Sequence, residues 1–278
     1  MTIAHAYQII LEKLTGSLGG REAQNVAKYF IEDVYGTRDQ LSSKELDSKQ
    51  VSAFNSDLIA LESGMPLQYV TGKAWFYDLE FNVNKNVLIP RPETEELVDR
   101  MIKDYKNISS PTHILEIGTG SACIAISLAI NLPMIQLIAT DISHEALECA
   151  QRNAHLHQVE IEFRKHNWLE ESDVFLGQKI DCIVSNPPYI DLNEKNEMGE
   201  SVLQHEPHLA LFAEENGLAF YKEISAFVEK NPVKPDLYLE LNEFKSAEIL
   251  KLFVDLYAKV KIVQDLQGKD RILIASAD

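Results

Sequence analysis

Asn186-Pro187-Pro188-Tyr189 is the stretch of this chain whose residue types most directly suggest chemistry. It follows an apolar run from Ile180 to Val184 that reads as a buried strand. A tetrapeptide at the end of a parallel strand occupies the usual ligand position of an open α/β sheet. The two prolines fix φ and remove two backbone donors, so carbonyl oxygens are left to accept. Asn186 adds a side-chain oxygen, and Tyr189 is expected to close the group as an aromatic wall. Rigid acceptors beside a flat ring suit a planar NH2 group, either a carboxamide or an exocyclic base amine.

A second group lies upstream. Glu116-Ile117-Gly118-Thr119-Gly120-Ser121-Ala122 stands at a predicted strand-to-helix turn. Its glycines allow a sharp turn and a close approach of backbone to ligand. The helix start then offers free N–H groups to an anion. Asp141 closes the next predicted strand, where a carboxylate can accept two ribose hydroxyls. Glycine loop and acid together imply a nucleoside-containing cofactor. A dinucleotide is disfavoured because Cys123 occupies the third glycine position of G-x-G-x-x-G, and the loop lacks the lysine of a P-loop. S-adenosyl-L-methionine suits the pattern better. It has ribose hydroxyls for Asp141, a carboxylate and ammonium for Gly118 to Ala122, and no pyrophosphate.

Elements that would position these groups follow from periodicity. Ala4 to Leu14, Glu22 to Val34 and Lys44 to Glu62 carry apolar residues at helical spacing. Gln68 to Ile89, rich in aromatic and β-branched residues, reads as a β-hairpin linker. Glu93 to Lys106 reads as a helix with acids in its first turn. From His113 onward strands and helices alternate, which implies a mostly parallel sheet sandwiched by helices. Lys259 to Leu266 and Arg271 to Ser276 read as a terminal antiparallel pair. The expected organisation is a helical bundle over 1–66, a hairpin linker over 67–90 and a catalytic domain over 91–278.

The chain has 278 residues, 45% apolar and 25% charged, ordinary for a globular protein able to bury a sizeable core. A net charge of −17 repels phosphate backbones and disfavours direct nucleic-acid binding. It suits a basic protein partner. No apolar run approaches the roughly 18 residues needed to span a bilayer. Residues 1–11 show no secretory signal, so a cytoplasmic location is expected. Cys123, Cys149 and Cys182 are far apart in apolar stretches and read as buried reduced thiols. His155/His157 and His205/His208 come near metal spacing without further ligands beside them, and no metal is expected.

Taken in series, the glycine loop, Asp141 and Asn-Pro-Pro-Tyr resemble the class I methyltransferases that act on planar nitrogens. Other motifs narrow the resemblance: Gln68-Tyr69-Val70-Thr71-Gly72, Leu88-Ile89-Pro90-Arg91-Pro92-Glu93-Thr94-Glu95, Glu206-Pro207 and the late Asp265-Leu266-x-Gly268-x-x-Arg271. The chain resembles the bacterial peptide chain release factor glutamine N5-methyltransferases (HemK/PrmC family) over nearly its whole length. The resemblance implies a Rossmann-like α/β sheet of seven strands, a small N-terminal helical domain that docks the release factor, and a β-hairpin linker. It implies N5-methylation of the glutamine in the Gly-Gly-Gln loop of release factors, with S-adenosyl-L-homocysteine as product and the enzyme a monomer. By matching motif, Gly118, Thr119, Gly120, Ser121, Ala122, Asp141, Trp168 and Asn186 are carried over as cofactor contacts. Asn186, Pro187, Pro188 and Tyr189 are carried over as the substrate clamp, with Asn186, Pro187 and Tyr189 catalytic.

The chain departs from the family pattern at Ala122, where glycine is usual, and at Asn167, where aspartate is common. Leu239-Glu240-Leu241-Asn242 lacks a glycine often found there, and the stretch has no functional reading from sequence. Two rival functions remain at this level. One is methylation of adenine N6 or guanine N2 in a nucleic acid, which the charge opposes. The other is a binding module that keeps the cofactor fold as scaffold, which the intact Asp141 and Asn186 oppose.

Overall fold

The computed structural model describes residues 1–277 and divides into two compact units. The first comprises Met1–Lys73 with Gly199–His205, and the second Ala74–Met198 with the chain from Glu206 onward.

The first unit is helical: α1 (Ile3–Leu18), α2 (Gly20–Tyr35), α3 (Ser48–Glu62) and α4 (Leu67–Thr71). Ile3, Ile10 and Leu14 of α1 meet Ala27, Phe30 and Ile31 of α2 and Phe54, Leu58 and Leu61 of α3 in one apolar cluster. These positions recur every three, four or seven residues, so each helix presents one apolar face. Helix α3 begins four residues later than Lys44 because Asp47 caps it: its carboxylate accepts from Gln50 N–H at 2.8 Å while the Gln50 side chain accepts from Asp47 N–H at 3.0 Å. The expectation of a hairpin beginning at Gln68 is corrected. Pro66 opens the short helix α4 and Gly72, at φ 72°, ends it.

The hairpin proper is β1 (Lys73–Phe76) and β2 (Leu79–Asn82). Tyr77 and Asp78 both take positive φ at its turn, 50° and 60°. This is the primed turn that matches strand twist, made here without glycine and anchored by Tyr77 N–H donating to Glu95 Oε1 at 2.9 Å.

The large sheet has seven strands: β3 (Thr112–Ile117), β4 (Ile135–Asp141), β5 (Glu162–Lys165), β6 (Cys182–Ser185), β7 (Asp236–Glu240), β8 (Lys259–Gln264) and β9 (Asp270–Ser276). Their order is β5-β4-β3-β6-β7-β9-β8, with β3 to β7 parallel and β9 antiparallel to both its neighbours. Chain order runs outward from β3 in one direction and from β6 in the other, so the topological switch point lies between them. Open α/β sheets bind ligands in the crevice at such a point.

Helices cover both faces. One apolar cluster joins Ile114, Cys182, Val184, Tyr238 and Ile272 to α5 (Pro92–Tyr105), α6 (Cys123–Asn131) and α7 (His144–Leu156). The other joins Leu115, Ile183, Leu237, Leu239 and Leu273 to α8 (Trp168–Glu171) and to later helices. Residues alternate between clusters along each strand, the period-2 signature of a sheet buried on both sides. Single turns α9 (Glu200–His205), α10 (His208–Leu211) and α11 (Glu214–Gly217) fill the long connection after β6. The full-length helices α12 (Ala219–Lys230) and α13 (Ser246–Phe253) then flank β7.

Candidate active site

A cavity of about 630 Å3 opens at the carboxyl ends of the central strands. It is lined by the loops after β3, β4 and β6, by Arg91 and Thr94 at the start of α5, and by the connection from Pro207 to Glu214.

The loop after β3 is shaped by backbone. Gly118 and Thr119 N–H both donate to the Thr140 carbonyl at 2.9 Å, tying the loop to β4. Gly118 and Gly120 take φ of 73° and 54°, a region that costs L side chains roughly 1–2 kcal/mol. Gly118, Thr119, Gly120 and Ser121 line the cavity. Ala122 does not, and its expected contact with a cofactor is corrected. At φ 62° its methyl turns into the core between β3 and α6, fully buried.

Asp141 ends β4 and lines the cavity. One carboxylate oxygen accepts from Gly120 N–H and the other from Ser143 N–H, each at 2.9 Å. Burial pushes its pKa up, and the two amides oppose that shift. Each oxygen keeps a second lone pair, so a diol in the cavity can still donate to it. Beneath the loop lies a second acid. Glu116 is 1% exposed, and burial raises its pKa to about 8. Thr119 Oγ1 donates to its Oε2 at 2.5 Å, while Oε1 has no hydrogen-bond partner.

Trp168 lines the cavity and also belongs to the core, packed on Phe227 at 5.2 Å between centroids. His166 stands edge-on to it, and burial lowers the His166 pKa, so the imidazole is neutral at pH 7. Trp168 Nε1 and His166 Nε2 are buried without hydrogen-bond partners, although both residues border the cavity. Asn167 lies between them and caps α8, accepting from Leu169 N–H at 3.3 Å.

Asn186, Pro187 and Pro188 line the same cavity at the end of β6, so the structure brings the two predicted groups together. The Asn186 NH2 donates to Thr94 Oγ1 at 3.1 Å, and the Thr94 hydroxyl donates to Glu240 Oε2 at 2.6 Å. Tyr189 departs from expectation. It is not part of the cavity lining; its ring packs on the second apolar cluster. Its ring packing thus anchors the loop to the core instead of walling the pocket.

Three further contacts shape the rim. Arg91 Nη2 meets Glu206 Oε1 at 2.6 Å, with the Glu206 side chain 1% exposed, and Glu206 Oε2 also accepts from Ile89 N–H at 3.4 Å. Arg91 therefore braces the cleft. Ile190 pairs with the connection opposite, its N–H donating to Leu211 O and its carbonyl accepting from Ala213 N–H, both at 3.0 Å. Gly217, at φ 81°, packs so close to Tyr189 that a Cβ there would sit 2.3 Å from the Tyr189 carbonyl oxygen.

Sequence reasoning missed Thr94, Glu240, Glu206 as the partner of Arg91, and Gly217. Thr94 and Glu206 lie inside motifs already singled out, yet nothing local reveals their distant partners. Among the described residues, no group of three or more His, Cys, Asp or Glu is placed to hold a metal. Among the described residues, no helix is long and apolar enough to cross a membrane.

Comparison with known proteins decides the family. The methyltransferase small domain family matches residues 94–209. A release factor glutamine methyltransferase from Flavobacterium psychrophilum is 44% identical, the alignment covering 82% of this chain and 81% of the relative. The corresponding protein of Enterococcus faecalis is 39% identical, over 84% and 83%.

The chain belongs to the release factor glutamine methyltransferases.

Among solved structures, the hMettl16 catalytic domain superposes with a TM-score of 0.56 at 14% identity, over 84% of this chain and 83% of that one, a likeness of fold alone. For a member of this family the placement of the two motifs is informative. Gly118, Asp141 and Asn186 come from three separate strand ends and meet at one switch point.

Proposed function

We propose that this protein methylates the side-chain amide nitrogen of the glutamine in the Gly-Gly-Gln segment of a peptide chain release factor, using S-adenosyl-L-methionine and releasing S-adenosyl-L-homocysteine. The observation that carries this reading is that Asn186 and Pro187 line the same cavity as the glycine loop and Asp141. The cavity's polar groups suit that cofactor. Asp141 would hold the ribose diol, Gly118 to Ser121 the amino-acid end, and Trp168 with Asn167 the adenine end. The buried unpartnered Nε1 of Trp168 and Nε2 of His166 are consistent with a nitrogen-bearing ring at that end. When bound, the cofactor supplies an electrophilic methyl on a positively charged sulfur.

An amide nitrogen is a weak nucleophile because its lone pair is delocalised into the carbonyl. The protein's task is therefore positioning. The two N–H bonds of the glutamine donate to Asn186 Oδ1 and to the Pro187 carbonyl. Held that way, the nitrogen would be aimed at the methyl group that the bound cofactor would supply. In well-oriented model reactions such placement lowers barriers by roughly 7–11 kcal/mol. Positive charge developing on the nitrogen as it took the methyl would be stabilised by the same two oxygens. The extra proton then leaves to water. Neither Cys123, whose thiol is pushed up to about 12, nor His166 is needed as a base.

The net charge of −17 favours a basic protein substrate over a nucleic acid. The first unit is read as the surface that docks the release factor, the enzyme as a monomer and the compartment as the cytoplasm. Mass spectrometry of a release factor incubated with the protein and cofactor tests the function. A single added methyl on the Gly-Gly-Gln glutamine is expected; methyl transfer to RNA or DNA instead would refute it.

A further inference from the structure

Asn186 can serve as an acceptor only if its amide is turned the right way. An asparagine amide has two nearly isosteric ends, one accepting and one donating. Rotation by half a turn would present NH2 to the substrate's NH2, donor against donor. Something in the protein must choose between these states.

We infer that Glu240 and Thr94 set the orientation of Asn186, as positioning residues for methyl transfer. The chain of donors fixes the choice. In its ionised form the Glu240 carboxylate can only accept, so the Thr94 hydroxyl spends its single proton on Glu240 Oε2 at 2.6 Å. Thr94 Oγ1 is then left with lone pairs, and only the NH2 end of Asn186 can answer them, at 3.1 Å. With NH2 committed there, Oδ1 is what Asn186 has left for the cavity it lines.

The network is buried, which makes its direction expensive to reverse. Thr94 is 2% exposed and Glu240 1%. Glu240 is held by Thr94 of α5 and by the charge of Arg271 on β9. Tyr221 of α12 donates to the Glu240 carbonyl at 2.7 Å. Burial and Glu93 raise the Glu240 pKa to about 7, while Thr94, Arg271 and Tyr189 favour the ionised form. Arg271 is itself held by Asp265 at 3.1 Å, and Asp265 accepts from the Gln267 and Lys269 N–H groups. The late Asp265…Arg271 motif thus ends in the same device, and so does Glu240 of the stretch that had no reading from sequence.

This inference rests on the proposed role of Asn186 in holding a carboxamide, and the tests separate the two. Thr94→Val removes the hydroxyl at nearly constant shape, and Thr94→Ser restores it. With a release factor as substrate, Thr94→Val is expected to lose kcat by roughly 10–100-fold, because misoriented reacting groups cost about that much. Its KM and its calorimetric cofactor affinity are expected to stay within about twofold. Thr94→Ser is expected to recover most of the loss, which a role in packing alone would not explain. Glu240→Gln, which can offer NH2 to Thr94 and reverse the hydroxyl, is expected to behave like Thr94→Val. The second readout needs no turnover. In protein labelled with 15N-asparagine, the Asn186 side-chain NH2 signal is assigned by its loss in Asn186→Ala. Its hydrogen-bonded proton is expected to shift and exchange faster in Thr94→Val and in Glu240→Gln, but not in Thr94→Ser. Should wild type leave release factors unmethylated while this spectral pattern holds, the functional reading fails and the orientation device stands. An unchanged Asn186 signal, or wild-type kcat in both folded variants, would overturn the device.

Discussion

Gly217→Ala tests whether the backbone after Asn186 must be held where it is. Gly217 does not line the cavity, so the substitution touches neither ligand directly. A methyl there would lie 2.3 Å from the Tyr189 carbonyl oxygen and 3.1 Å from its carbon, where ordinary contact begins near 3.4 Å. About 1 Å must therefore be recovered by moving one strand of backbone. Glu215, Asn216 and Gly217 already take consecutive positive φ of 56°, 58° and 81°, so this turn has little slack. Tyr189 is the residue that gives, three positions from Asn186. A displacement near 1 Å at a reacting group costs on the order of 10²-fold in rate. Left-handed backbone for alanine costs roughly 1–2 kcal/mol and overpacking roughly 1–3 more, within the stability of a typical domain. Gly268→Ala is the matched control: φ is also 81°, but nothing lies within 4 Å of its Cβ. The expected result, from denaturant melts and steady-state kinetics, is that both variants fold. Gly268→Ala loses only stability, whereas Gly217→Ala loses kcat about a hundredfold with cofactor affinity kept. Wild-type kcat in Gly217→Ala would refute the claim that this glycine sets the position of the Asn-Pro-Pro-Tyr loop.

Asp141→Ala removes an acceptor for the ribose and frees Gly120 and Ser143 N–H, so cofactor affinity by calorimetry is expected to fall at least about 100-fold, from charge-assisted bonds of roughly 1.5–3 kcal/mol each; unchanged affinity would remove Asp141 from the site. Glu116 supplies a pH test. Its carboxyl stays protonated in the fold up to about pH 8, whereas the unfolded chain ionises it near its usual value of 4.5. The folded state thus binds one proton more between those values, and stability falls as pH rises through that window. Glu116→Gln cannot titrate, so its stability relative to wild type is expected to grow by a few kcal/mol from pH 5 to pH 8 in urea melts. Parallel pH profiles for the two proteins would show that Glu116 is not buried as an acid.

Much of this site could be read in the sequence because its anchors sit at strand ends. Gly118, Asp141 and Asn186 each follow a run buried on both faces, and such runs announce themselves as continuous apolar stretches. The order of those runs also gives the alternating sheet. What could not be read are partners fixed only by the folded chain. Thr94 and Glu240 are 146 positions apart, and each looks unremarkable among its neighbours. Tyr189 looked like a pocket wall because nothing local shows the apolar cluster that takes its ring. Ala122 looked like a cofactor contact by position, but its positive φ swings the side chain into the core. At Gln68 to Gly72 the β-forming residues outvoted Pro66 and Gly72, which bound a short helix.

The central claim is that the Asn186 oxygen and the Pro187 carbonyl hold a carboxamide for methyl transfer. The most direct measurement is the single-turnover rate of Asn186→Ala, with cofactor and release factor both saturating, followed by mass spectrometry at the Gly-Gly-Gln glutamine. A loss of about 10³-fold or more with both ligands still bound is the result this geometry requires. A variant that methylates glutamine at close to the wild-type rate would contradict it.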